Sequence, residues 1–467
     1  MAEGVTVYED LESIAEARRC AERAYEAWLK FRSFTPDQVD AIVRAMARAA
    51  EREAGRLAEM AHAETGYGKV ADKRLKNLYN SRVVSKWLDN VTTLGVLWRD
   101  EATKVVAVGE PMGVVAGLIP VTHPTALVIF KVLSAVKAGN AIVCAPHPRG
   151  ARSSLETATV MADAAVQAGA PQHLVQCMSK AGIDGTTELM KHYRTSVVLA
   201  TGGAGMVRAA YSSGKPTIAV GPGNVPCYVD RSKADELAEV ADAILTSKDF
   251  DHGTGCVCEQ AIIADRRIAG RLREEMRRHG AYFCTSREAE ALAGVLFTKD
   301  LGIVPENVGQ SAATLAERAG FSVPPRTRVL VADQDKVGRS HPLSAEKLSP
   351  VLAFYEVDDA DAGYRLANEV LRFGGEGHSA ALHAADSEVV AKFSSLPAGR
   401  VFVNVPCMHA GIGFSADVEP SFMLGTGTLS GSITSDNVTA MHLINIKRIA
   451  YESRPWRSLA EMFERTP

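Results

Sequence analysis

Between residues 141 and 220 short apolar runs alternate with stretches of helical period: strands are expected at 141–144, 173–176, 196–200 and 217–220, helices at 153–168, 185–193 and 204–212. Strands separated by helical crossovers pair in parallel, and a sheet wound this way has both faces covered by helices. A second series of the same kind runs from 225 to about 414, with apolar strands at 261–264, 328–332, 380–382 and 400–404. A chain of 467 residues exceeds the length over which one core keeps growing. The pattern therefore implies an α/β protein with two doubly wound lobes.

The flanks differ. The first hundred residues carry helical periodicity at 11–31, at 35–64 behind a Thr-Pro-Asp start, and at 71–94. A β-rich run at 103–108, the turn signal Gly109-Glu-Pro-Met-Gly113 and a strand at 114–119 follow. After Gly425 the chain is rich in Gly, Ser and Thr, then returns to a strand at 442–450, whose expected partner is the isolated 103–108 segment. The expected division is 1–97 with 111–222 as one lobe, 223–424 as the second, and 98–110 with 425–467 as an arm and tail.

A net charge of −3 and a pI near 6.5 give no global attraction to nucleic acid or anionic lipid. No uninterrupted apolar run reaches the roughly 18 to 20 residues that span a bilayer, and the start is acidic rather than a signal peptide. Small-molecule chemistry in the cytoplasm is the expectation, with no nucleic-acid or membrane partner. Eight cysteines lie scattered, without the density of a disulfide framework, and are expected to be reduced.

One cysteine has unusual surroundings. Lys248-Asp-Phe-Asp-His-Gly-Thr-Gly-Cys256-Val-Cys258-Glu-Gln260 is a polar, glycine-bearing loop that delivers Cys256 just before an apolar strand. Such a loop lets backbone approach a substrate closely, and the nucleophile's own N–H is placed to hold an oxyanion. Taken alone, the segment reads equally well as ordinary loop and strand. No metal is expected, since Cys-x-Cys lacks the spacing of common zinc sites.

Phe250-Asp-His-Gly-Thr-Gly-Cys256 resembles the nucleophile loop of CoA-acylating aldehyde dehydrogenases, and the likeness continues in order along nearly the whole chain. It takes in Glu64-Thr-Gly-Tyr-Gly68, Gly117-Leu-Ile-Pro-Val-Thr-His-Pro-Thr125, Ala145-Pro-His-Pro-Arg149, Thr201-Gly-Gly203, Gly221-Pro-Gly-Asn-Val-Pro226, Glu346-Lys-Leu-Ser-Pro350, Gly374-Gly-Glu-Gly-His-Ser379 and Leu443-Ile-Asn-Ile-Lys447. The resemblance implies a fold of aldehyde dehydrogenase type with a β-strand oligomerisation arm, a homodimer or homotetramer, and conversion of a short-chain aldehyde such as acetaldehyde or propionaldehyde to acyl-CoA. NAD, with NADP left open, would accept the hydride, and coenzyme A the acyl group. Microcompartment association is left open, with no clear targeting peptide.

Site roles follow in the same way. The resemblance makes Cys256 the nucleophile and places Thr201, Gly202, Gly203, Gly221, Pro146, His147 and Arg149 along the cofactor, Arg149 within reach of a phosphate. Glu346 matches the glutamate that holds the nicotinamide-side ribose. His123 stands where the family usually has an asparagine that completes the oxyanion hole, and a neutral imidazole N–H also donates. His378 matches a family histidine suited to take the proton of the CoA thiol. Thr122, His252, Met408 and His409 are expected to line the aldehyde pocket. Where hydrolytic relatives carry a Glu-Leu-Gly-Gly general base, this chain has Gly221-Pro-Gly-Asn, so a thioester should survive until a thiol collects it. Two alternatives stand beside this: a hydrolytic enzyme or acyl phosphate reductase on the same fold, and a non-catalytic assembly protein that has kept the fold.

Overall fold

The computed structural model describes residues 9–453, 456 and 459–464; the acidic start at 1–8 and parts of the expected tail lie outside the described residues. The first lobe is a five-stranded parallel sheet in the order Val175–Cys177, Ala141–Pro146, Val114–Ile119, Thr195–Thr201, Thr217–Val220. The chain winds outward from Val114–Ile119 through two strands and then returns to that strand's other side. This reversal opens a crevice at the carboxyl ends of Val114–Ile119 and Thr195–Thr201. The helix Pro124–Lys137 leaves the first of these ends and is buried over all its residues, as its nearly unbroken apolar sequence requires.

The second lobe is a seven-stranded parallel sheet in the order Ala281–Cys284, Val329–Asp333, Val351–Val357, Glu259–Asp265, Val225–Val229, Gly377–His383, Ala398–Val403. Both series of expected strands are thus present.

The helical flank departs from expectation in three places. The stretch 35–64 is two helices, Pro36–Arg52 and Ala54–Thr65, parted at Glu53 beside Gly55. The first starts in a capping box between Thr35 and Gln38 with Pro36 in its first turn. The stretch 71–94 is helix only over Val70–Leu78, then a π-helical turn at Tyr79–Val84 and a last helical turn at Ser85–Asp89. The β-branched run after Asn90 leads instead into an unexpected strand, Gly95–Asp100.

That strand hairpins onto Val105–Pro111, which pairs on its other side with Ile444–Ala450, all antiparallel. The expected pairing of the two distant segments is therefore present, with the hairpin beginning at Gly95. Gly109 and Pro111 belong to the strand rather than to a turn; a Cβ on Gly109 would lie 2.1 Å from Thr93 O. The Gly-Ser-Thr-rich stretch after Gly425 packs against both lobes, Ser432 Oγ donating to Ala219 O and Arg400 to Gly425 O and Ser435 O. Among the described residues no helix is long and apolar enough to cross a membrane, and no group of three or more His, Cys, Asp or Glu is arranged to hold a metal ion.

Candidate active site

The carboxyl ends of the first sheet face the amino ends of the central strands of the second, and a cavity of about 540 Å³ lies between them. From the first lobe come residues 118–123, the end of Val114–Ile119 and the turn after it, then Ala145 to Pro148, and Thr201 to Gly203; from the second come Thr254 to Val257, Glu346 and Leu348. Met408, Ile412, Phe422 and Leu424 close one wall.

Cys256 is the cysteine on this cavity and is partly exposed to it. Its Sγ lies 3.2 Å from His378 Nε2, and His378 Nδ1 lies 3.1 Å from Ser379 Oγ. Burial, helped by Glu346, pushes the Cys256 thiol up to about 12. Burial and the Arg400 guanidinium hold His378 down to about 3. Both shifts favour the uncharged pair, thiol and imidazole, with Nε2 as the proton acceptor. Gly223 makes the pairing fit: a Cβ there would lie 2.2 Å from Cys256 O and 3.1 Å from the His378 ring. The following Asn224 pins the loop by donating to Ser344 O and Val370 O.

Glu346 is the one acid among the described residues lining the cavity. Its Oε1 accepts from Gly223 N at 3.1 Å, and burial raises it to about 7. Glu259, three residues beyond the nucleophile, turns inward and accepts from Cys407 N. On the first-lobe side Thr201 Oγ1 is buried with no partner among the described residues, and Cβ atoms on Gly203 and Gly205 would meet none of them within 4 Å. An orphaned hydroxyl beside bare backbone at a strand-to-helix turn fits a phosphate-bearing dinucleotide.

Of the residues singled out in the sequence, Cys256, His378, His123, Thr122, Thr201, Gly202, Gly203, Gly221, Pro146, His147, Glu346 and Met408 converge on this space. Three do not line it. Arg149 turns away, 3.6 Å from Glu306 and over the Tyr67 ring. His252 faces Asp249 at 3.9 Å. His409 packs edge-on against Phe250.

A second cluster has no counterpart in the sequence reading. Asp251, His252 and Gly253 take consecutive left-handed conformations, with φ of 49°, 52° and 69°, which for the two non-glycine residues costs roughly 1–2 kcal/mol each. The turn aims the Asp251 carboxylate inward, onto Lys76 Nζ at 2.6 Å, Lys73 Nζ at 3.2 Å and Lys69 N at 2.7 Å. Gly68 leaves it room, since a Cβ there would lie 1.8 Å from Asp251 Oδ1. Burial alone would raise this carboxyl, but Lys76 and Lys73 outweigh it and hold it well below the usual range. The helix Val70–Leu78 buries Lys73, Lys76 and Asn77 while its Leu75 is exposed, an inversion of the usual order that shows only in the fold.

Fold and site together define a two-lobed α/β protein that presents a cysteine where its lobes meet. The chain belongs to the aldehyde dehydrogenase family, whose sequence profile matches residues 6–284. It is 37% identical over 455 residues to the bifunctional aldehyde-alcohol dehydrogenase AdhE of Escherichia coli strain K12, a match covering 96% of this chain and 51% of that one. The chain thus spans about half the length of that curated relative. An acetylating aldehyde dehydrogenase from Geobacillus thermoglucosidasius superposes with a TM-score of 0.94 at 44% identity, over 96% of this chain and 99% of the other. A Rhodopseudomonas palustris propionaldehyde dehydrogenase, solved with bound CoA and an acylated cysteine, gives a TM-score of 0.85 at 25% identity, over 94% and 97% of the two chains.

Proposed function

We propose that this chain is a CoA-acylating aldehyde dehydrogenase, converting a short-chain aldehyde, CoA and NAD(P)+ to acyl-CoA and NAD(P)H. The observation that carries this is the pairing of Cys256 Sγ with His378 Nε2 at 3.2 Å on the interlobe cavity. Cys256 attacks the aldehyde carbon as His378 takes its proton. The Cys256 amide and His123 hold the oxygen of the hemithioacetal. A nicotinamide bound in the crevice would supply the hydride acceptor, leaving a thioester on Cys256, and His378 gives up to solvent the proton it took from Cys256. His378 then takes the proton of the CoA thiol as its sulfur attacks, and returns it to the departing Cys256.

Thr201, Gly202, Gly203 and Gly221 are the residues we assign to the dinucleotide, with Glu346 for a ribose and Pro146 and His147 beside the adenosine. The five-stranded lobe is accordingly the dinucleotide-binding unit and the seven-stranded lobe the catalytic one. Met408, Ile412, Phe422 and Leu424 make an apolar wall that suits acetaldehyde or propionaldehyde. Glu346 accepts from Gly223 N through Oε1, and among the described residues no second acid lines the cavity to activate water on the thioester.

The three-stranded sheet exposes Val96, Trp98, Ile446 and Ile449, which supports its use as the arm of a homodimer or homotetramer. A cytoplasmic location accompanies the use of phosphate-bearing coenzymes.

The test is NAD(P)H formation from propionaldehyde with and without CoA, for the wild type and Cys256→Ala. Turnover requiring both CoA and Cys256 is expected. Turnover indifferent to CoA, with free acid as product, would sink the acyl-transfer assignment.

A further inference from the structure

Behind the cavity wall the Lys76–Asp251 pair reaches a residue of the site. The side chain of Lys76 is 2% exposed and that of Asp251 0%. Lys76 Nζ donates to Asp251 Oδ2 at 2.6 Å and to Thr254 Oγ1 at 3.2 Å, and stands 3.2 Å from His123 Nε2. An ammonium carries three protons and no lone pair. These neighbours therefore use all three, and the imidazole nitrogen facing Lys76 has to be an unprotonated acceptor. The ring's one proton then sits on Nδ1. Among the described residues no group partners that nitrogen, and the ring lines the cavity.

We infer that Lys76 is a positioning residue, which locks His123 as the Nδ1–H tautomer and polarises that N–H, from behind the ring, toward the hemithioacetal oxygen. This rests on the reading of His123 as an oxyanion donor. A carboxylate behind an imidazole makes the ring a stronger base; a cation in the same place does the opposite, strengthening the remaining N–H as a donor and opposing a second proton. Asp251 supplies the countercharge beside the Lys76 ammonium, and Thr254 Oγ1 donates to Asp251 Oδ2 at 3.0 Å, tying the cluster to the loop two residues before Cys256. An asparagine at position 123 would need no such device, because its N–H₂ donates whatever lies behind it.

The experiment is a cycle of wild type, Lys76→Met, His123→Asn and the double variant, read by single-turnover NAD(P)H formation from propionaldehyde with CoA. Lys76→Met should slow the hydride step about 100-fold without moving the KM for CoA. In the His123→Asn background the same change should cost less than about threefold, because coupled residues do not add. An equal loss in both backgrounds overturns the inference and makes Lys76 a merely structural residue. Nitrogen-15 histidine spectra of the wild type, with His123 assigned by its loss in His123→Asn, need no stable Lys76 variant: an Nδ1–H tautomer is expected, and an Nε2–H tautomer refutes the lock. If His123→Ala keeps the full rate while the spectrum shows Nδ1–H, the oxyanion role fails and the lock itself stands.

Discussion

Replacing His378 by alanine isolates the acidity of the nucleophile from the base that relieves it. Burial and Glu346 hold Cys256 up at about 12, so at pH 8 only roughly one thiol in 10⁴ is ionised. His378, held near 3, stays neutral across the working range and accepts the proton as the carbon–sulfur bond forms. Its removal should slow single-turnover NAD(P)H formation by about 10²- to 10⁴-fold. The pH dependence should change as well. The wild type should be flat between about pH 6 and 9, whereas His378→Ala should rise about tenfold per pH unit, because only preformed thiolate then reacts. Stopped-flow absorbance of the reduced nicotinamide reads both quantities, and iodoacetamide labelling of Cys256 reads the second without turnover. A variant as fast as the wild type, or one equally slow at every pH, would refute the proton-transfer role.

Three further outcomes are expected. Asp251→Asn leaves Lys73 and Lys76 buried without their countercharge and should lower stability by about 3–5 kcal/mol, read as a shift in the urea midpoint. Since the folded pKa of Asp251 lies below its unfolded value, this stabilisation is present above the unfolded pKa and fades as pH falls through the folded one, so the gap between wild type and variant should close only below about pH 4; a gap that closes near pH 7 would point elsewhere. Gly223→Ala forces the Cys256 and His378 segments apart and should cost about 100-fold in kcat while the far-UV spectrum is kept; undiminished kcat would show that the close approach is dispensable. Ile446→Asp with Ile449→Asp should reduce the assembly to a smaller species in light scattering, and a wild type that already runs as a monomer contradicts the arm proposal.

The parallel sheets were legible because strand and helix periods alternate over long stretches, and the nucleophile loop because polar residues and glycines lead straight into the apolar strand Glu259–Asp265. Helix ends were not. Glu53 and Tyr79–Val84 interrupt helical patterns through local geometry that leaves the apolar period intact, and Gly95–Asp100, with Val96 and Trp98 outward, lacks a buried face to mark it. His252 and His409 read as pocket residues from their nearness in sequence to Cys256 and Met408, but the left-handed turn at 251–253 and the Phe250 and Phe414 rings carry them off the cavity. The Lys76–Asp251–His123 cluster joins side chains up to 175 positions apart, a pairing that no local pattern encodes.

Asn445 reaches back to Pro111 across 334 positions, so the middle strand of the three-stranded sheet waits for the last strand among the described residues. At about 5–20 residues per second of synthesis, that wait is roughly 20 to 70 s. Throughout it the hairpin of Gly95–Asp100 and Val105–Pro111 offers an open backbone edge to any strand that meets it. Both sheets are complete in sequence before the partner strand is made, so a chain truncated near residue 440 would keep both lobes beside an unprotected edge. Truncation there is accordingly a route to aggregation that leaves every residue lining the interlobe cavity in the chain.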